Sequence, residues 1–246
     1  VILAVVLSLA IGLSLGLLGG GGSILTVPIL VYALGVERRE AMASSLLIVG
    51  VTSLVALVRP ARAGLVHWKT GLLFASAGML GSFLGGRLSS SVPTRALLLG
   101  FAAMMLGTAF AMLRGRREPD AQATLQPGKM LATGLGAGML TGLVGAGGGF
   151  VIVPALALIG GLPMRQAIGT SLFVIALQSF AGFSGHAAHV TIDAPLVSLV
   201  AASASVGAVL GGILGARVPQ EKLRRGFGVF VLVMAAYMVL RELTLR

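Results

Sequence analysis

The chain is written twice. Residues 16–30 read GLLGGGGSILTVPIL and residues 142–156 read GLVGAGGGFVIVPAL. Pro28 then pairs with Pro154 at an offset of 126, and that offset holds without a gap through most of each half. It pairs Arg39 with Arg165, Ser45 with Ser171, Ser53 with Ser179 and Gly81 with Gly207. It carries Gly85-Gly86 onto Gly211-Gly212 and Val92-Pro93 onto Val218-Pro219, and ends on Gly100-Phe101 and Gly226-Phe227. Compositional bias matches scattered leucines, but it does not align an arginine, several serines and two Val-Pro pairs. The fold must therefore be two like units, over 1–113 and 129–246. The only sustained polar stretch, RGRREPDAQATLQPG over 114–128, reads as their linker.

Neither unit suits water. Hydrophobic residues make up 57% of the chain and charged ones 10%, whereas a soluble domain carries about 25% charged residues. Leu97–Leu113, Leu196–Leu214 and Phe227–Leu240 contain no charged side chain, and with their flanks each approaches the ~20 residues that cross a bilayer. The remaining surface must face lipid. Each unit offers five apolar segments, near 2–18, 23–35, 41–58, 70–86 and 94–113, and near 130–144, 149–161, 166–184, 194–215 and 223–240. The expectation is an all-α polytopic membrane protein with about eight to ten membrane segments. The opening run, Val1 to Leu18, lacks a basic flank and is read as structure rather than a signal peptide.

The second segment of each unit is too short to span alone. With the segment before it, it forms a re-entrant hairpin or a pair of crossings, which inverts the second unit, or one broken helix, which does not. Basic residues decide between these. Units in the same orientation would place nine basic residues on each side, whereas inverted units place twelve on one side and six on the other. Only the second arrangement gives the asymmetry that the positive-inside rule requires. The reading is two inverted-topology repeats in the cytoplasmic (inner) membrane, with the linker in the cytoplasm and both termini outside.

Candidate site residues sit at the interruptions. Gly19 to Gly22 and Gly147 to Gly149 break apolar segments at matching places. A glycine run weakens a helix and permits positive φ, and a helix restarted after it presents free N–H groups to an anion. Paired interruptions in two halves are a sequence pointer to a transporter site. Gly20, Gly21, Gly22 and Ser23, with Gly147, Gly148 and Gly149, are thus candidate substrate contacts. Polar residues inside the next segments join them. Ser44 and Ser45 pair with Thr170 and Ser171, and Thr52 and Ser53 pair with Gln178 and Ser179. Such groups replace a solute's hydration shell without adding charge, although they also serve as helix–helix glue. His186, in GFSGHAAHVTID, lines the outer entrance or sits at headgroup level, and its counterpart is Pro60, next to an interfacial Arg59. The spacings Gly12/Gly16, Gly81/Gly85 and Gly207/Gly211 read as close helix packing.

No Asp or Glu falls in an apolar core, which argues against a cation or metal substrate and favours an anion. The net charge of +11 lies in short clusters between apolar runs, so nucleic acid is not expected as a partner. There are no cysteines, and no cofactor, metal site or catalytic constellation is expected. The glycine clusters lack the Lys-Ser/Thr of a phosphate loop and the strand of a dinucleotide fingerprint.

The string GLLGGGGSILTVPIL, its second copy, the segment holding Ala167, Thr170 and Ser171, and the Gly-His at 185–186 resemble the sulfite exporter family (TauE/SafE). That resemblance implies movement of small sulfur-containing anions such as sulfite, sulfoacetate, sulfolactate or thiosulfate across a cytoplasmic membrane. The expectation is a secondary transporter working by alternating access, with the lipid bilayer and a small anion as partners. A carrier or channel-like facilitator for a carboxylate or metal ion is the alternative, and a homodimer is left open.

Overall fold

The computed structural model describes residues 2–113, 127–145, 147–186 and 190–244. Most of the proposed linker lies outside the described residues. The first half contains α1 (Ile2–Leu18), α2 (Gly21–Pro28, continued by a π-turn over Ile29–Ala33), α3 (Arg38–Arg62), α4 (Trp68–Leu88) and α5 (Thr94–Leu113). The second half contains α6 (Pro127–Val144), α7 (Gly149–Leu158), α8 (Met164–His186), α9 (Ala194–Gly215) and α10 (Gln220–Thr244). Among the described residues there is no strand. The chain is an all-α polytopic membrane fold. Five helices, α3, α4, α8, α9 and α10, are long and apolar enough to cross a bilayer.

Each half opens with a hairpin. Gly19 has φ +73°, Gly145 +70°, Gly147 +62° and Gly148 +60°, a left-handed backbone that side chains resist, so the helix ends there. The chain then turns back on itself: Gly22 lies against Ile11 and Leu15 of α1, and Gly148 against Thr141 of α6. The returning stretch Gly21–Ala33 is about 20 Å long at helical rise, short of the ~30 Å hydrocarbon core. The chain folds back at each glycine run, which is what a re-entrant hairpin and a pair of crossings share and a single broken helix lacks.

Packing between the halves repeats at the 126-residue offset. Gly12 and Gly16 of α1 lie on the Ala204 and Ala208 carbonyls of α9, while Gly138 and Gly142 of α6 lie on the Gly78 and Ser82 carbonyls of α4. A Cβ on Gly16 would stand 2.0 Å from the Ala208 oxygen, and one on Gly142 would stand 2.0 Å from the Ser82 oxygen. Both seams require glycine, because in lipid close backbone contact replaces the hydrophobic drive for helix association. In each seam the helices run parallel. The long helices α3 and α8 instead run antiparallel, with Leu46 beside Gly182, Gly50 on the Phe180 ring and Pro60 beside Gly169. They form the middle of the molecule, and thirteen residues of α3 and fifteen of α8 are buried.

Glu37 caps α3 by accepting from the Arg39 and Glu40 amides, and Asp193 caps α9 by accepting from the Leu196 amide at 3.0 Å. These carboxylates serve helix starts at the end of the molecule where α3 begins. Large side chains such as Leu72, Leu80, Val206 and Val233 point outward from α4, α9 and α10, as a lipid-facing surface demands.

Candidate functional site

The two hairpin tips meet. A Cβ on Gly20 would stand 2.3 Å from the Gly149 carbonyl oxygen, and one on Gly149 would stand 2.5 Å from the Gly20 Cα. Only two glycine backbones fit face to face at that distance. Ser23 closes the junction from the α2 side, next to both Gly147 and Gly149, and donates to the Gly20 carbonyl at 2.7 Å. The junction rests on the middle turns of the long helices, Gly147 against Val49 of α3 and Gly149 against Ile175 of α8.

Two short helices therefore begin there, α2 at Gly21 and α7 at Gly149, and neither has a side-chain cap. The first turns of a helix leave N–H groups without intrahelical partners, and the aligned peptide dipoles put about half a positive charge at that end. Two such ends close together in a dry interior repel each other and attract negative charge. Among the described residues no Asp, Glu, Lys or Arg is buried, so no fixed charge of the protein answers them.

Hydroxyls flank the junction along one stripe of each long helix. On α3 the stripe is Ser45, Val49, Thr52 and Ser53, and on α8 it is Ser171, Ile175, Gln178 and Ser179, the three- and four-residue spacings that share a helix face. Ser45 Oγ donates to the Gly145 carbonyl, and Ser171 Oγ donates to the Gly19 carbonyl at 3.3 Å. Each serine thus ties a long helix to the carbonyl end of the other half's hairpin. Ser53 and Ser179 are fully buried, as are Thr52 and Gln178. Thr52 Oγ1, Ser53 Oγ, Ser179 Oγ and both amide atoms of Gln178 have no hydrogen-bond partner, and neither has Ser44 Oγ. Leaving one buried polar group unpaired costs about 1–3 kcal/mol, so five such atoms on the stripes beside the junction, with Ser44 Oγ apart from them, stand out in a folded interior.

The candidates from the sequence divide into three sets. Gly20, Gly21, Gly22, Ser23, Gly147, Gly148, Gly149, Ser45 and Ser171 are brought together at the junction. Ser44 and Thr170 are not. Ser44 shares its stripe with Ala41 and Ile48, which pack on Val200 and Ala201 of α9, and Thr170 Oγ1 accepts from the His67 amide at 2.9 Å in the connection before α4. His186 lies apart from the tips, at the far end of α8, where it joins Ser89 and Gly142. Gln178 turns its amide towards α4, against Gly78, whose Cβ would stand 1.7 Å from Nε2. Reading the sequence passed over Gly78. The signal was there, since the equivalent positions of α3 and α9 hold Thr52 and Ala204 where α8 and α4 hold Gln178 and Gly78, a larger residue matched by a smaller one.

Two cavities lie at opposite ends of α3 and α8. One, of about 170 Å³, is lined by Arg59, Pro60, Arg165, Ile168, Gly212 and Gly215 among others. The other, of about 20 Å³, is lined by Arg39, Met42, Gly86, Ser89, Leu97 and His186 among others. Position by position these are counterparts at the 126 offset: Arg39 and Arg165, Met42 and Ile168, Gly86 and Gly212, Ser89 and Gly215, Leu97 and Leu223, His186 and Pro60. Arg39 donates to the Ser90 carbonyl at 3.3 Å and Arg165 to the Ala216 carbonyl at 3.1 Å, again at equivalent places.

Known proteins add the family. Residues 4–238 match the family described as Sulfite exporter TauE/SafE. A probable membrane transporter protein of Xylella fastidiosa is 34% identical over 94% of this chain and 92% of its own length. The probable membrane transporter protein YunE of Bacillus subtilis is 27% identical over 97% and 94%. A probable membrane transporter protein of Methanocaldococcus jannaschii is 25% identical over 97% and 95%. No solved structure matches the chain. A helical bundle with five helices long enough to cross a bilayer fits such a transporter, and the match runs over nearly the whole chain: the chain belongs to the Sulfite exporter TauE/SafE family and is a membrane transporter of that type.

Proposed function

We propose that this transporter moves a small sulfur-containing anion, such as sulfite, sulfoacetate or thiosulfate, by alternating access between two inverted repeats. The anion sits where the tips of the two hairpins meet. The observation that carries this reading is the pair of uncapped helix N-termini facing each other in an interior without fixed charge, beside unpartnered hydroxyl and amide groups. Helix N-termini supply direct N–H donors, and Ser53, Ser179, Thr52 and Gln178 complete the shell as the solute loses its water.

The opposite orientation of the halves is supported by the antiparallel α3 and α8, since equivalent helices that run antiparallel are related by an axis across the bundle rather than along it. Two counterpart cavities of unequal size, entering from opposite ends, are what one site opened alternately to two sides requires. On the charge asymmetry of the loops, the Arg59 and Arg165 end faces the cytoplasm together with the linker, and both termini face out. Catalysis has no part in this reading.

The test is thermal unfolding of the purified protein in detergent with sulfite, thiosulfate, sulfoacetate, sulfate, acetate and divalent cations. A ligand at a hundred times its Kd stabilises the folded state by about 2.7 kcal/mol. Saturable stabilisation by a sulfur oxyanion, lost in Ser53→Ala with Ser179→Ala, supports the proposal. Stabilisation by acetate or divalent cations alone would overturn the substrate and turn the reading to a carboxylate or metal-ion carrier.

A further inference from the structure

The two cavities differ in more than volume. Where the larger has Pro60 and Gly215, neither of which can donate a side-chain hydrogen bond, the smaller has the counterparts His186 and Ser89, and His186 reaches Gly142 of α6. These three are bonded together. His186 Nε2 lies 2.8 Å from the Gly142 carbonyl oxygen, and Nδ1 lies 3.3 Å from Ser89 Oγ. The ring thus ties the end of α8 to α6 and to the turn that follows α4. Two members of that tie, His186 and Ser89, line the smaller cavity, and their counterparts in the larger, Pro60 and Gly215, have no side-chain group to make it.

Counting hydrogens shows which form of the ring fits. A carbonyl oxygen only accepts, so Nε2 carries a hydrogen. Ser89 Oγ has one hydrogen and donates it to the Gly86 carbonyl at 2.7 Å. Towards the ring it therefore presents a lone pair, and Nδ1 also needs a hydrogen. Neutral imidazole has one N–H, whereas imidazolium has two. To serve the neutral ring, Ser89 would have to abandon Gly86. All three bonds are made together only when the ring has taken up a proton.

The charged groups on the surrounding elements are mostly occupied elsewhere. Arg39 of α3 lines the same cavity and donates to the Ser90 carbonyl. Arg87 of α4 holds its guanidinium 5.6 Å from the centre of the Phe83 ring. At the same end Glu37 caps α3, Glu40 accepts from the Asp193 amide at 3.0 Å, and Asp193 caps α9. Among the described residues no carboxylate lines this cavity.

We propose that His186 is a proton-binding latch: protonated from the water on its own side it ties α8 to α6 and the α4 turn and keeps the smaller cavity shut, and deprotonated it releases them. The inference rests on the reading of the cavities as alternately opened mouths, and it assigns the proton as the ion whose binding is linked to which mouth is open.

The chain has no cysteine, so a single introduced thiol reports one position. Met42 and Ile168 occupy counterpart places in the smaller and larger cavities. Met42→Cys and Ile168→Cys would be treated in detergent with a small methanethiosulfonate reagent from about pH 5 to about pH 8, the range over which histidine changes charge. We expect Ile168→Cys to react fastest at low pH and more slowly as Met42→Cys opens. Reaction at Met42→Cys, taken relative to Ile168→Cys, should rise roughly tenfold with pH, the factor for losing one hydrogen bond to a charged group. In His186→Gln the relative rate should already be high at low pH and lose its slope. Ser89→Ala keeps the histidine, removes only the acceptor for its second hydrogen, and should flatten the slope too, which covers a His186→Gln variant that does not fold. Protection of Met42→Cys that persists in His186→Gln, or a slope that survives Ser89→Ala, overturns the latch. If Met42→Cys opens as expected but Ile168→Cys reacts no more slowly, the latch stands and alternation between the mouths falls.

Discussion

The two halves of this transporter match at some positions and differ at many, and two kinds of position are worth setting side by side. Where they agree, the pair of residues does the same mechanical job twice. Ser45 and Ser171 each fasten a long helix to the opposite hairpin's carbonyl end, and the glycine seams of α1 on α9 and α4 on α6 repeat almost atom for atom. Among the positions where they differ, four pairs are buried or line the cavities: Thr52 against Gln178, Ala204 against Gly78, Pro60 against His186 and Gly215 against Ser89. On the proposed function, the first kind are joints and the second lie where a solute or a proton would be met. Each prediction below substitutes a residue of one kind and asks whether it behaves as a joint or as part of the path.

The hairpin tips are joints of the strictest sort and should give the largest effect. Gly148 has φ +60°, and its Cβ would stand 1.8 Å from Thr141 Oγ1. Gly148→Ala is expected to destabilise the fold by about 2–4 kcal/mol, combining left-handed strain with overpacking. Thermal unfolding measures it. Gly35 also has a positive φ, +70°, but open space around it, so Gly35→Ala should show the strain alone and lose about 1–2 kcal/mol. Equal losses at the two positions would show that the tip contact contributes nothing beyond backbone geometry.

The exchange of Gln178 with Gly78 for Thr52 with Ala204 comes next. Gly78→Ala alone pushes a methyl into the Gln178 amide and should cost about 1–3 kcal/mol. Gln178→Thr with Gly78→Ala places the α3 and α9 residues at the equivalent positions of α8 and α4 and should recover most of that loss, a coupling that a double-mutant cycle reads directly. The recovered protein should nonetheless bind its anion less well, because the amide is gone. Recovery of both stability and binding would make Gln178 a packing residue and nothing more.

Much of this arrangement was legible in the sequence. The 126-residue offset, the apolar segments and the glycine interruptions are local features of composition and order, and each became the expected element: hairpins at Gly19 and Gly145, long helices over 38–62 and 164–186, and glycine seams at Gly12, Gly16, Gly81 and Gly207. The position of polar side chains around a helix was only partly legible. Ser44 and Ser45 are adjacent in the chain but about 100° apart around α3, so one faces α9 and the other a hairpin. Periodicity alone does not say which neighbour each face meets, and so Ser44 and Thr170 were grouped with residues they do not join. The partner of Gln178 was missed because a glycine announces nothing when its task is to leave room.

The finest division is among the hydroxyls themselves. Ser171 Oγ has two acceptors, the Ile168 carbonyl at 2.8 Å and the Gly19 carbonyl at 3.3 Å, whereas Ser179 Oγ has none. Removing a hydroxyl that serves a buried carbonyl leaves that carbonyl unpaired, so Ser171→Ala should lower stability by about 1 kcal/mol. Removing one that serves nothing deletes a burial penalty, so Ser179→Ala should leave the empty protein unchanged or slightly more stable. With anion present the order should reverse: Ser171→Ala keeps its full ligand-induced stabilisation, and Ser179→Ala loses part of it, because its partner was the guest. Unfolding of both variants with and without sulfite separates the cases. If Ser179→Ala destabilises the empty protein as Ser171→Ala does, then Ser179 is one more joint, and the path narrows to the groups that remain unpartnered on α3 and at Gln178.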